Sequence, residues 1–332
     1  MQSNPLLTPQ EELTRPHCHC TLTQVKSSPS KMATPKQRPG NFTSKTHSTS
    51  YPYISPLSLN LSGKHVLITG TTFTSGVGYA TATAFARAGA SHIILADIKP
   101  TSQDLVSALQ TAAKEAGRAE PSILSCTVDI SDEESVKALS QSVRKAFSGK
   151  LDILVNNAAV MEPLKPFLDT DPAVYWKTWE VNVRGLYNMA RAFMPLLLST
   201  RTDGGLATMV NLSSSGALSA RSGSSSYRTS KLAILGWTSS LQVEYAEQGL
   251  LTYCVNPGAI QTQISEGVMP EEMRQRFPHK ADVAGDTICW LSSERREWLG
   301  GRYVSCHWDM EELEGRRQEV EEGDLLKMGL MV

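Results

Sequence analysis

The chain of 332 residues is 40% hydrophobic and carries a formal net charge of −1, which is ample apolar material for one large domain or two ordinary ones. The near-neutral balance gives no reason to expect nucleic acid or an anionic membrane as partner, because both demand a basic surface. No apolar run approaches the roughly 18 residues that span a bilayer, and the N-terminus has no apolar segment of secretory type.

In chain order, residues 1–57 come first and differ from the rest. Eight prolines, from Pro5 to Pro56, are spread through Ser, Thr and Lys with almost no apolar periodicity, so this extension is expected to be disordered or loosely draped. Its excess of bases over Glu11 and Glu12 resembles an organelle transit peptide in composition, but the prolines would interrupt the amphipathic helix such a peptide needs. His17-Cys18-His19-Cys20 is too tightly spaced to wrap one tetrahedral ion, and no second ligand pair follows at a finger-like distance. No metal is expected, and Met32 is an alternative start. The six cysteines, Cys18, Cys20, Cys126, Cys254, Cys289 and Cys306, lack a framework spacing and suit a reducing, cytoplasmic setting. Asn41, Asn60 and Asn211, which begin Asn-x-Ser/Thr triplets, are therefore not expected to carry sugar.

From His65 onward, short apolar runs alternate with helical periodicity. Strands are predicted at 65–69, 92–97, 123–128, 151–156, 207–212, 251–255 and 303–306, with helices at 77–88 and from near Ser102, Asp132, Pro172, Ser224 and Asp282. Apolar strands separated by helices of this length imply an α/β fold with a Rossmann-type doubly wound parallel sheet. A single domain over residues 58–308 suffices, since no linker-like composition divides it. Beyond it, residues 309–332 carry six glutamates around Leu313 and Val320. They are read as an acidic amphipathic helix that packs on a neighbouring subunit, lies beside the active site or stands in solvent.

In such a sheet, ligands lie at the carboxyl ends of the strands. Gly70, Gly76 and Gly78 fall directly between the first strand and the first helix, where glycine lets the backbone approach a pyrophosphate and the helix N-terminus offers free amides. Asp97 ends the second strand and suits a ribose diol, so the two together are a dinucleotide signal; its alternative is an N-cap of the next helix. Farther on, Tyr227 and Lys231 stand four residues apart, hence on one helical face. A phenol beside an ammonium is a candidate acid/base, with the cation expected to lower the phenol's pKa. Alone the pair is weak evidence, because any tyrosine has about a one in twenty chance of a lysine at that offset.

Taken in order, these motifs resemble the short-chain dehydrogenase/reductase family, with flanks similar to those of its fungal members. The resemblance covers about residues 41–308. It rests on the glycine turn, Asp97, Asp129, Asn156-Asn157-Ala158-Ala159, Asn182, Ser214, Tyr227 with Lys231, and Pro257-Gly258-Ala259-Ile260-Gln261-Thr262. It implies a catalytic set of Ser214, Tyr227, Lys231 and Asn182. Tyr227 would be the acid/base, Ser214 would hold the substrate oxygen with Ser213 and Ser215 as adjacent rivals, Lys231 would hold the nicotinamide ribose, and Asn182 would anchor a water. For cofactor binding it implies Gly70, Ser75, Gly76, Val77, Gly78, Asp97, Asp129, Asn156, Ala158, Tyr227, Lys231, Pro257, Gly258, Ile260 and Thr262. The family's usual turn has three residues between its first two glycines, whereas Thr71 to Ser75 make five here; the added length either bulges outward or crowds the pyrophosphate. Ala159 stands where a glycine is frequent.

Asp97 and the uncharged Ser75 favour NAD over NADP, because a 2′-phosphate would want Arg or Lys at such places. The implied activity is hydride transfer between NAD(P) and a secondary alcohol or ketone of a small or medium organic molecule. Alternatives are double-bond reduction or dehydration on the same scaffold, and dinucleotide binding without catalysis. Residues 263–280 should form a lid over the substrate, and a homodimer or homotetramer through the helices near Asn182 and Tyr227 is expected by resemblance.

Overall fold

A computed structural model of the chain describes residues 41–329. Expectations placed on residues 1–40, including the His-Cys cluster and the alternative start, lie outside the described residues.

The first half runs β1 (His65–Thr69), α1 (Val77–Arg87), β2 (His92–Asp97), α2 (Gln103–Glu115), β3 (Ser122–Thr127), α3 (Glu133–Ala146) and β4 (Ile153–Asn156). In the second, α4 (Pro172–Trp179) passes through a π-helical stretch, Glu180–Gly185, into α5 (Leu186–Thr202). Then follow β5 (Thr208–Leu212), α6 (Ser225–Tyr245), β6 (Leu251–Asn256), α7 (Glu271–Arg274), α8 (Ala281–Ser293) and β7 (Tyr303–Ser305). The seven strands pair in parallel in the order β3-β2-β1-β4-β5-β6-β7. Strand order therefore reverses between β1 and β4, which opens a crevice at their carboxyl ends. This is the Rossmann-type sheet expected.

The strands read as unbroken apolar runs because both faces are covered. Val66, Ile68, Ile93, Leu95, Ile153 and Val155 point into one buried cluster, while Leu67, Ile94, Ala96, Leu154 and Met209 point into the other. Helix starts were set by short polar side chains: Ser102 and Asp132 accept the N–H of Leu105 and Glu134 at the heads of α2 and α3, relieving donors left open at a helix end. Among the described residues, no helix is long and apolar enough to cross a membrane.

The two flanks differ from expectation together. Residues 41–57, read as part of a loose extension, contain two short helical turns, Pro52–Ile54 and Pro56–Ser58, with Ile54 fully buried. The tail forms two short helices, α9 (Met310–Gly315) and α10 (Arg317–Glu322), rather than one. Arg316, whose backbone leaves the helical region between them, lays its guanidinium 3.8 Å from the Phe42 ring and donates to the Phe42 carbonyl. Glu312 accepts from Ser44 N, Ser44 Oγ and Lys45 N, His47 pairs with Asp309 at 2.7 Å, and Leu313 and Val320 are fully buried. A segment without periodicity was thus ordered by a partner some 260 residues away, contacts that local pattern does not encode.

Candidate active site

The turn between β1 and α1 is shaped by close backbone approach. A Cβ at Gly78 would lie 2.1 Å from Gly70 O and 2.6 Å from Asn157 Nδ2, so only glycine fits there. Asn157 Nδ2 donates to the carbonyls of Thr69 and Gly70, and Thr69 Oγ1 accepts from the amides of Asn157 and Ala158. The added length folds into its own turn: Gly76 N donates to Phe73 O at 2.8 Å, and Thr74 and Ser75 are exposed. Asp97 accepts from Thr72 N at 3.0 Å and from Lys99 N at 3.1 Å, so it pins the widened turn rather than capping α2, whose cap is Ser102. Lys99 lies 4.9 Å above the Phe73 ring.

This turn fits a dinucleotide. The Thr71 and Thr72 hydroxyls are buried without a hydrogen-bond partner among the described residues, and α1 begins at Gly76 with no side-chain cap. Buried polar atoms are normally satisfied, and an uncapped helix N-terminus is a ready site for an anion. Asp129, at the carboxyl end of β3, accepts from Ser131 N and Oγ. Burial works upward on its carboxyl, but these bonds and Lys177 hold it below the usual range.

Across the crevice, α6 carries both Tyr227 and Lys231, and the Lys231 ammonium lies 5.7 Å from the phenol ring centroid. Lys231 Nζ donates to Leu212 O at 2.9 Å, and burial lowers it to about 8. Ser214 lies near enough to the Tyr227 phenol to pull its pKa downward, and its Oγ accepts from Gly216 N. Of its rivals, Ser213 Oγ donates to Lys231 O and Ser215 N donates to Asn256. One expectation is corrected here. Burial raises the Tyr227 phenol, and Glu162 adds to the rise, whereas Ser214 and Arg228 pull downward; the lysine was expected to win. Desolvation is the largest cause, and the Lys231 ammonium is turned toward the Leu212 carbonyl.

Asn182 sits in the π-helical stretch, where an extra residue per turn turns its amide inward. Its Oδ1 accepts from Val160 N, and its Nδ2 donates to Val160 O and Ser230 Oγ. Asn156 Nδ2 donates to Asn211 Oδ1, linking β4 to β5. After β6, Pro257 leads into Gly258, whose φ of +102° and nearness to His279 exclude a side chain. Ile260 bridges His279, and Thr262 caps a short turn at 263–265. The segment 263–280 is linked to the other loops by Leu164 N donating to Val268 O, with Lys165 N donating to Gly223 O beside it.

Asn157, named in the sequence motif without a role, holds the glycine turn. Three further residues in these networks have no place in the sequence reading. Asn256 Oδ1 accepts from Ser215 N and Gly258 N while its Nδ2 donates to Ser305 Oγ, joining two loops of the site. His279 Nδ1 accepts from Ala259 N at 2.9 Å, and Glu162 accepts from Tyr227 N. Asn256 carried a signal, standing at the carboxyl end of β6 beside the Pro257 motif. Glu162 and His279 carried none.

The family model described as short chain dehydrogenase matches residues 64–273. The chain is 42% identical over 301 residues to the short chain dehydrogenase mpl6 of Monascus purpureus, covering 91% of this chain and 100% of that protein. Among solved structures it resembles 3-ketoacyl-(acyl-carrier-protein) reductase from Brucella melitensis complexed with NADH, at 27% identity and a TM-score of 0.63, over 74% of this chain and 97% of that one. It also resembles a short chain dehydrogenase from Escherichia coli CFT073 complexed with NADPH, at 25% identity and a TM-score of 0.61, over 74% and 97%.

Proposed function

Since this chain belongs to the short-chain dehydrogenase family of oxidoreductases, we propose that it moves a hydride between NAD(P) and a secondary alcohol or ketone of a small or medium organic molecule. The observation that carries this reading is the Lys231 ammonium 5.7 Å from the centroid of the Tyr227 ring on α6, with Ser214 near enough to pull the phenol's pKa downward. Tyr227 gives or takes the substrate proton, and Ser214 holds the substrate oxygen. Lys231 supplies positive charge next to the developing alkoxide and holds the nicotinamide ribose, and Asn182 backs the lysine side of the site. The nicotinamide, when bound, carries the two electrons, so the protein need only position both partners and move one proton.

Gly70, Ser75, Gly76, Val77 and Gly78 receive the pyrophosphate in this proposal, and Asp97 the adenosine ribose. Asp129, Asn156, Ala158, Pro257, Gly258, Ile260 and Thr262 line the rest of the cofactor site. The carboxylate of Asp97 favours NAD, since it would repel a 2′-phosphate. A second copy is the proposed partner. The exposed Trp176 and Tyr187, and an apolar groove lined by Trp179, Val183, Leu186 and Trp237, lie along α4 to α6 and support pairing there.

The test is dihydronicotinamide production from a panel of secondary alcohols by the wild type and Tyr227→Phe. A drop of at least about a hundredfold is expected, in the range of a lost proton-transfer group. A variant that keeps most of the activity sinks the assignment of Tyr227. Tight NADH binding without turnover on any alcohol or enone would instead favour dinucleotide binding without catalysis.

A further inference from the structure

A carboxylate that the proposed reaction does not use lies against the tyrosine that it does. Glu162, in the loop after β4, is only 2% exposed, and an isolated buried carboxylate is costly unless its oxygens are satisfied. Both oxygens accept from the backbone N–H of Tyr227, at 3.1 and 3.0 Å. That N–H belongs to the first turn of α6, which the local cap does not satisfy: Ser224 makes no capping bond, and its hydroxyl accepts from Arg228 Nε. A residue 65 positions away therefore caps the helix at the acid/base itself.

The loop is held on both sides of this contact. Asn182 takes both the N–H and the carbonyl of Val160, and Lys165 N donates to Gly223 O just before α6. Glu162 is thus presented as a fixed negative charge at the helix end whose partial charge is positive. Around the phenol it is opposed by Arg228 from α6 itself, and Lys231 of the same helix lies 5.7 Å from the ring centroid. Ser214 from the loop after β5 is a neutral hydrogen-bond partner, Tyr175 of α4 is linked through Ser225 and Ser226, and Cys254 of β6 faces the lysine.

We propose that Glu162 is a positioning residue that fixes Tyr227 through its backbone N–H and, by its charge, keeps the phenol protonated as the donor in carbonyl reduction. The second half rests on Tyr227 being the acid/base; the geometry does not. The direction agrees with the structure, where Glu162 adds to the upward shift of Tyr227 and Arg228 opposes it.

The test reads the tyrosine directly, without a substrate. Tyrosinate absorbance of the full-length protein is titrated against pH for wild type, Tyr227→Phe, Glu162→Gln and Glu162→Asp, each Glu162 variant also being made in the Tyr227→Phe background. Subtraction isolates the Tyr227 step. Glu162→Gln keeps an acceptor but loses the charge, and its midpoint should fall by about one pH unit, as expected for removing one neighbouring charge. Glu162→Asp, which keeps the charge, should stay nearer wild type and remains informative if the glutamine variant does not fold. Equal midpoints, or no Tyr227 step in any variant, overturn the proposal even if the melting temperature drops, since a cap alone would cost stability without moving the phenol. The alcohol panel separates the two ideas: retained activity in Tyr227→Phe defeats the acid/base role, whereas an inactive Tyr227→Phe with an unshifted Glu162→Gln midpoint defeats only this one.

Discussion

The corner around Tyr227 and the turn at 70–78 face the same crevice, yet they are held in opposite ways. At the corner nearly every polar group is satisfied by the chain itself. Lys231 bonds the Leu212 carbonyl, Ser213 bonds Lys231 O, Asn182 uses its amide on Val160 and Ser230, and Glu162 takes the Tyr227 N–H. At the turn, Asp97 and Asn157 fix the backbone, but the Thr71 and Thr72 hydroxyls are left unpartnered among the described residues and Thr74 and Ser75 stand exposed. A site for proton transfer needs its groups fixed before the substrate arrives, whereas a site for a large ligand keeps its polar atoms for that ligand. Damage at the turn should therefore change binding and spare the ionisation of the corner, whereas damage at the corner should change its ionisation and reach binding only through Lys231.

The largest effect that would break this contrast is Gly78→Ala. The added Cβ would meet the Gly70 carbonyl at 2.1 Å, and backbone cannot swing aside as a side chain can, so the turn must deform. NADH affinity by calorimetry should weaken by at least about a hundredfold, with a loss of roughly 1–3 kcal/mol in thermal or urea unfolding as for other overpacked sites. If NADH binds as in wild type, the turn is not where the pyrophosphate rests.

Next in size is the pH response of Lys231. Burial lowers its ammonium from the ordinary lysine range to about 8, so it is cationic below that pH and loses its charge as pH rises through it. Any contribution of that charge to holding a dinucleotide is present at pH 7 and lost above about 8. The NADH dissociation constant should rise by about threefold to tenfold between pH 7 and 9.5, the scale of one weakened charge-assisted contact, and Lys231→Met should be weaker at neutral pH and flat across the range. An equally sloped Lys231→Met would assign the effect to another group.

The same contrast decides what could be read in advance. Sheet, helix starts and the nearness of Lys231 to Tyr227 were legible because each is a local pattern: unbroken apolar runs, a polar residue before a helix, a four-residue spacing along α6. Whether the widened turn bulges outward or crowds the pyrophosphate stays open, since the sequence shows its length and not the Phe73–Gly76 hydrogen bond that closes it. Glu162, His279 and the packing of residues 41–57 against the tail were not legible, because the partners lie far apart in the chain and the residues obey no period. The rise of the Tyr227 pKa was missed for a related reason: the lysine is visible four residues on, while burial and the opposing glutamate exist only after folding.

The smallest effect is the sharpest test of whether the added residues matter. Thr74 and Ser75 are exposed and lie in the turn that Gly76 N closes onto Phe73 O. That hydrogen bond uses backbone only, and Lys99 above Phe73 anchors the base of the turn at 4.9 Å. Replacing both side chains by alanine, Thr74→Ala with Ser75→Ala, therefore leaves every described support of the turn in place. NADH affinity should change by less than about twofold if Ser75 receives the pyrophosphate through its backbone N–H, because exposed side chains that make no contact usually change free energies by no more than about 0.5 kcal/mol. A tenfold loss would mean that these hydroxyls touch the cofactor, and the exposed face of the turn would then belong to the binding site together with the buried threonines behind it. The fixed corner would be unaffected, since none of the contacts that hold Tyr227 reaches the turn: they come from Glu162, Ser214 and the first turn of α6.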